Sequence, residues 1–131
     1  MTNKQSGFTL IELIAVLVIL GILAATAIPR FVDLSDAAQQ AATDSIAGSL
    51  ESASALNHAV DIAAEAGLTS ETVVGVANCT DTENLLSDAL PAEYTVTAAA
   101  IADKASATCT LSYMVDGSAV ATATFQAIGA Q

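Results

Sequence analysis

The chain has 131 residues, 53 % hydrophobic and 13 % charged, with 14 acidic residues against three basic ones and a net charge of −11. So acidic a chain repels nucleic-acid phosphates, which argues against nucleic acid as a partner. The length suits one folded domain, and an Ala/Thr/Ser-rich, Trp-free composition allows only a thin core that needs a cross-link or neighbouring subunits.

Residues 1–7 are short and polar and carry one positive charge, Lys4. Phe8 to Ile28 is apolar apart from Glu12 and is long enough to cross a hydrocarbon core of about 30 Å. Lys4 in front of it favours a cytoplasmic position for that end. Gly21 and Pro29 interrupt the pattern. Pro29 lacks an amide hydrogen and clashes with the carbonyl of Ala25, so a kink or local loosening is expected there.

From Phe31 the chain reads as an amphipathic helix. Phe31, Leu34, Ala38, Ala41, Ile46, Leu50, Ala53, Leu56, Val60 and Ala63 form its predicted apolar face. Asp33, Gln40, Asp44, Glu51, His58, Asp61 and Glu65 form its predicted solvated face. Gly67 is the expected stop. One helix from Phe8 to about Gly67 would be about 90 Å long if continuous.

After Gly67 the texture changes. Thr72–Ala77 reads as a loop or short edge strand. Thr82–Leu90 reads as a short helix capped by Thr82 or Asp81 and stopped by Pro91. Tyr94–Ala100 has strand character. Ala107–Val115 alternates, Asp116-Gly117 signals a hairpin, and Ala119–Phe125 is the returning strand. The tail after Phe125 is expected to be loosely held. The fold class is therefore α+β: a long N-terminal helix with a small antiparallel sheet packed on its distal half. Cys79 and Cys109 suggest a disulfide made in an oxidising compartment, with two buried free thiols as the alternative.

The stretch Ser6-Gly7-Phe8-Thr9-Leu10-Ile11-Glu12-Leu13-Ile14, followed by its apolar span, resembles the prepilin leader junction of type IV pilins and type II secretion pseudopilins. That resemblance implies a leader of residues 1–7, a membrane and filament-core helix over 8–30, and a head over 31–131. The head would combine a distal helix (31–67) with a β-meander (68–131). It implies cleavage by a prepilin peptidase between Gly7 and Phe8, N-methylation of Phe8, and residence in the inner membrane of a Gram-negative bacterium. An ATPase-driven inner-membrane machine would then assemble the chain with its own copies and with minor pilins into an extracellular fibre. Glu12, costly in lipid, would meet the Phe8 ammonium of the adjacent chain. In that family the segment matching Gly21–Pro29 loosens on assembly, and a Cys pair bounds a surface region.

Ile19-Leu20-Gly21-Ile22-Leu23-Ala24 and Ala27-Ile28-Pro29-Arg30-Phe31-Val32-Asp33-Leu34 look more narrowly like pilins of the mannose-sensitive haemagglutinin (MSHA) type, subunits of surface-attachment pili. A minor pilin or pseudopilin is the nearest alternative, and a membrane-tethered binding module that never polymerises is a second.

Ala25-Thr26-Ala27 offers a rival reading, an ordinary secretory signal cut after Ala27. Glu12 inside the apolar run, the length of that run and the helical pattern beyond it weigh against this. Other chemistry finds little support. His58, the one histidine, lacks the partners of a zinc site, and the serines lack a His and Asp arrangement to activate them. Asp33, Asp44, Glu51 and Glu65 do not form a compact calcium loop. The reading is a structural subunit, not an enzyme, with no cofactor and no metal.

Overall fold

The computed structural model describes residues 7–131. The leader expectation, with Lys4, falls on residues 1–6 and lies outside the described residues, as do the side chains of Pro29, Phe31, Val32 and Asp33. Helix α1 spans Leu10–Glu65 (56 residues), and the chain divides into two compact units, residues 1–35 and 36–131.

In the second unit, α1 stops where a glycine permits it. Gly67 lies at φ +68°, and the amides of Gly67 and Leu68 return to the carbonyls of Ala64 and Ala63, each at 2.9 Å. This closure satisfies two otherwise orphaned carbonyls and strains any residue with a Cβ at Gly67. Three antiparallel strands, β1 (Tyr94–Val96), β2 (Ser106–Val115) and β3 (Ser118–Ile128), lie in that order. Asp116 and Gly117, at φ 49° and 79°, form the tight turn that matches the twist of β2 and β3. Cys109 faces Phe125 and Leu111 faces Ala123 across the ladder, and the register shifts once between Tyr113 and Met114. Tyr94 sits opposite Tyr113 with ring centroids 5.1 Å apart.

The core is small. Its largest fully buried side chains are Phe125, Leu50, Leu111 and Val76. The Cys79–Cys109 disulfide (Cα–Cα 5.7 Å) is buried in the same cluster and ties a 3₁₀ turn, Cys79–Leu85, to β2. Cross-linking positions 30 residues apart contributes roughly 3–4 kcal/mol on loop-entropy arithmetic, a large share of a small unit's stability.

The buried face of α1 overlaps the predicted one only in part: Leu50 is fully buried and Ile46, Ala53, Val60 and Ala63 are half-buried, as expected, but the stripe is rotated toward polar residues. Its buried residues are Thr43, Ala47, Leu50, Ser54, Asn57 and Asp61, four of the six polar. Leu34 and Leu56, assigned to the apolar face, are 66 % and 67 % exposed. Asp61, assigned to the solvated face, is buried, and His58 is half-buried.

The cause lies in β3, an outer strand whose free backbone groups need partners. Gln40 Nε2 donates to the Thr122 carbonyl (2.9 Å). The Gln126 amide donates to Glu51 Oε2 (2.9 Å), and the Ile128 amide to Ser54 Oγ (2.8 Å). Asn57 continues the series on the next segment, donating to the Val74 carbonyl (2.8 Å) and accepting from the Val74 amide (3.0 Å). The helix completes a sheet edge with side chains.

Other expectations are also corrected. The helix expected over Thr82–Leu90 is the 3₁₀ turn Cys79–Leu85, because Asn78 and Asp81 cap the backbone earlier. The β1 strand ends at Val96 rather than Ala100. Residues after Phe125 are firmly held: Val76 and Ala130 exchange backbone hydrogen bonds of 2.7 and 3.2 Å, and Ala127 and Ala130 are fully buried. Lys104 pairs with Glu65 across 39 residues. The Glu65 hydrogen bond holds the Lys104 ammonium above its ordinary range, so loss of the lysine proton breaks this pair only in strongly alkaline solution. Both partners are exposed, so salt screens the pair.

Two substitutions test this closure by urea unfolding of the detergent-solubilised chain. Asn57→Ala strips both backbone groups of Val74 and is expected to cost about 1–3 kcal/mol. Gly129→Ala would place a Cβ 2.2 Å from the Ala102 carbonyl oxygen and is expected to cost at least about 2 kcal/mol, whereas Gly48→Ala, in open space, is tolerated.

Candidate functional site

The first unit carries the chain's largest unpartnered apolar surface. Leu10–Ile28 has a mean hydropathy of 2.7, and none of it is buried within the molecule. Phe8 is 83 % exposed, and Leu10 and Ile11 about as fully. Water penalises such a surface in proportion to its area, so it calls for lipid or other apolar chains. By length and composition it is sufficient to span a membrane.

Its N-terminal end is built from three of the singled-out residues, Gly7, Phe8 and Glu12, together with Thr9. Gly7 and Phe8 precede the helix and are exposed, and no atom lies within 4 Å of where a Cβ on Gly7 would stand. Thr9 then opens α1. The Thr9 amide and hydroxyl both donate to Glu12 Oε2, at 2.9 and 2.7 Å, while the Glu12 amide donates back to Thr9 Oγ1 at 3.4 Å. This reciprocal arrangement is a capping box. It places a carboxylate at the positive end of the helix dipole and supplies it with two donors.

Thr9 was missed as a functional residue by sequence reasoning, although Thr-x-x-Glu before an apolar run is the signature of this cap. The expectation gave Glu12 a role through its charge alone and none through the amides that must be satisfied at a helix start.

Helix α1 passes through Gly21 and Pro29 without a break in its assignment. Between them, the Thr26 hydroxyl donates to the carbonyls of Leu23 (3.0 Å) and Ile22 (3.3 Å), a back-bonding contact that competes with the helix ladder. Cys79 and Cys109 belong to the second unit, where they are joined to each other.

The family model for the prokaryotic N-terminal methylation motif matches residues 2–28. The chain is also similar to the type IV narrow pilus major component PilA5 of Thermus thermophilus, with 57 % identity over 53 residues. That match takes in 40 % of this chain and 46 % of the relative, so the chain spans less than half the length of the curated relative it matches. No solved structure matches the chain.

The cap predicts a local effect. Thr9→Val keeps the side-chain volume but removes the hydroxyl, at a cost of about 1 kcal/mol of helix stability. In detergent micelles the amides of Ile11 and Glu12 should then exchange roughly fivefold faster, with those beyond Ile14 unchanged.

Proposed function

We propose that this chain, whose amino-terminal segment carries the prokaryotic N-terminal methylation motif and is similar to a type IV pilus major component, is a structural subunit, a major component, of a type IV pilus. The observation that carries the reading is the exposed apolar helix Leu10–Ile28, bearing one carboxylate at its start and joined to a folded unit. The methylation motif and the similarity to a pilus component support it. The role is mechanical rather than enzymatic.

In this reading a prepilin peptidase cuts between Gly7 and Phe8. The exposure of both residues and the missing side chain at Gly7 suit an active site that must close around the chain. Because the cut precedes the apolar span, the product stays anchored in the inner membrane. N-methylation of Phe8 leaves its charge in place. An ATPase-driven machine then moves the subunit from lipid onto a growing fibre, with minor pilins as accessory subunits. Identical chains related by a repeated, non-closing contact generate a helical filament.

The span exchanges lipid for copies of itself, so little hydrophobic energy is gained by the move, and polar pairing decides the register. Glu12 of one chain meets the Phe8 ammonium of the next. Its capping bonds to Thr9 hold the carboxylate in place beforehand, so little side-chain entropy is lost on pairing. The segment Gly21–Pro29 loosens as the helix is repacked. Attachment of the kind served by the MSHA-type pili, aggregation or motility then follows from the fibre at the cell surface.

The mass of the mature chain from cells tests processing. A chain beginning at N-methylated Phe8 is expected, and one beginning at Ile28 overturns the reading. The pairing is tested by Glu12→Ala. Filaments sheared from cells should fall by about tenfold or more while the membrane pool of the chain is maintained, since removing one partner of a desolvated charge pair costs several kcal/mol. An undiminished fibre yield would remove Glu12 from the assembly step.

A further inference from the structure

We propose that the fibre requires dissolved cations, divalent ones above all, to hold its heads side by side; this rests on the reading of the chain as a pilus subunit. The charge distribution is one-sided. Of the 14 acidic residues all but Glu12 and Asp33 fall within the second unit, which holds one basic residue, Lys104. Lys104 is already engaged, because its ammonium is bonded to Glu65 of the same chain.

The carboxylates are spread over the whole unit. Asp36 and Glu51 lie on α1, Glu71 on the segment after it, Glu93 before β1, and Asp116 at the hairpin turn, all exposed. No face of the head therefore presents a spare cation to a neighbouring copy. Between two copies of this head the one cation on offer is Lys104, already bonded to Glu65, so contacts between heads bring mostly like charges together.

Among the described residues no group of three His, Cys, Asp or Glu side chains gathers to hold a metal ion. The neutralising ions are thus a diffuse layer and bridges between carboxylates of adjacent copies, not occupants of a built pocket. The relevant range is set by screening. At about 0.01 M ionic strength charges are felt over about 30 Å, far enough for neighbouring heads to repel as whole bodies. At about 0.15 M that range falls to about 8 Å, and the apolar span can hold the fibre together. A divalent ion carries twice the charge per particle and is enriched more strongly at an anionic surface, so it acts at lower concentration.

The test uses fibres sheared from cells carrying the full chain. They are dialysed into NaCl at about 0.01, 0.15 and 0.5 M, and into MgCl2 matched in ionic strength to the lowest of these. The readouts are the pelletable fraction and fibre length by electron microscopy. The expected result is a loss of about threefold or more at the lowest NaCl and recovery in the matched MgCl2. The triple variant Glu71→Gln, Asp88→Asn, Glu93→Gln alters exposed carboxylates that make no side-chain hydrogen bond among the described residues. It should keep its fibres at the lowest salt. Fibres equally persistent in every buffer overturn this inference and leave the pilus reading standing, as does a variant with the salt response of the parent. Absence of fibres under all conditions, with the chain found only as a monomer, overturns both.

Discussion

The uncovered edge of β3 sets the terms on which the second unit closes. A three-stranded sheet this short cannot leave its outer strand bare without exposing a row of amides and carbonyls to any passing strand. Here Gln40, Glu51 and Ser54 of α1 fill that role, and Asn57 extends it to Val74. The stripe that meets the sheet is accordingly polar, and larger apolar residues such as Leu56 and Ile62 are left outside. A helix that spends its buried face on hydrogen bonds buries less hydrocarbon. The small core and the buried disulfide beside it are two sides of that one arrangement.

This explains which parts of the fold could be read from the chain alone. The hairpin at Asp116-Gly117, the alternation of β2 and the stop at Gly67 each rest on local chemistry, and each appears as expected. The pairing of Cys79 with Cys109 appears too, in place of two free thiols. The orientation of α1 did not follow, because hydrophobic periodicity assumes that burial means apolar contact. The buried stripe Thr43, Ala47, Leu50, Ser54, Asn57, Asp61 has helical spacing of its own, but its reason lies in a strand far along the sequence. The end of the chain misled for a related reason. Ala127, Gly129 and Ala130 give almost no hydrophobic signal, yet their smallness is what allows backbone to approach backbone, as at Gly129 and Ala102.

At the N-terminal junction the residues that identify the segment were legible, and the bonds that organise it were less so. Glu12 stands out as a lone charge in an apolar run. Its hydrogen bonds to Thr9 add a second role, since the same carboxylate finishes its own helix. In the proposed pilus, a group that caps α1 beforehand is already ordered when a neighbour's amino terminus arrives. On that reading, helix capping and assembly make the same demand on one side chain rather than competing ones.

The bonds that seal the sheet edge join residues 74 to 82 positions apart. During synthesis α1 is the first element made and is useless to the head until β3 has appeared. Throughout that interval the polar stripe has no mate, and the nascent head must stay unfinished. Closure comes as one late event, after residues 122–130 have been made, and not by steady accretion from the N-terminal end. Until then β3 of one chain is free to add to the sheet of another, so many copies made at once carry a brief risk of exchanging strands.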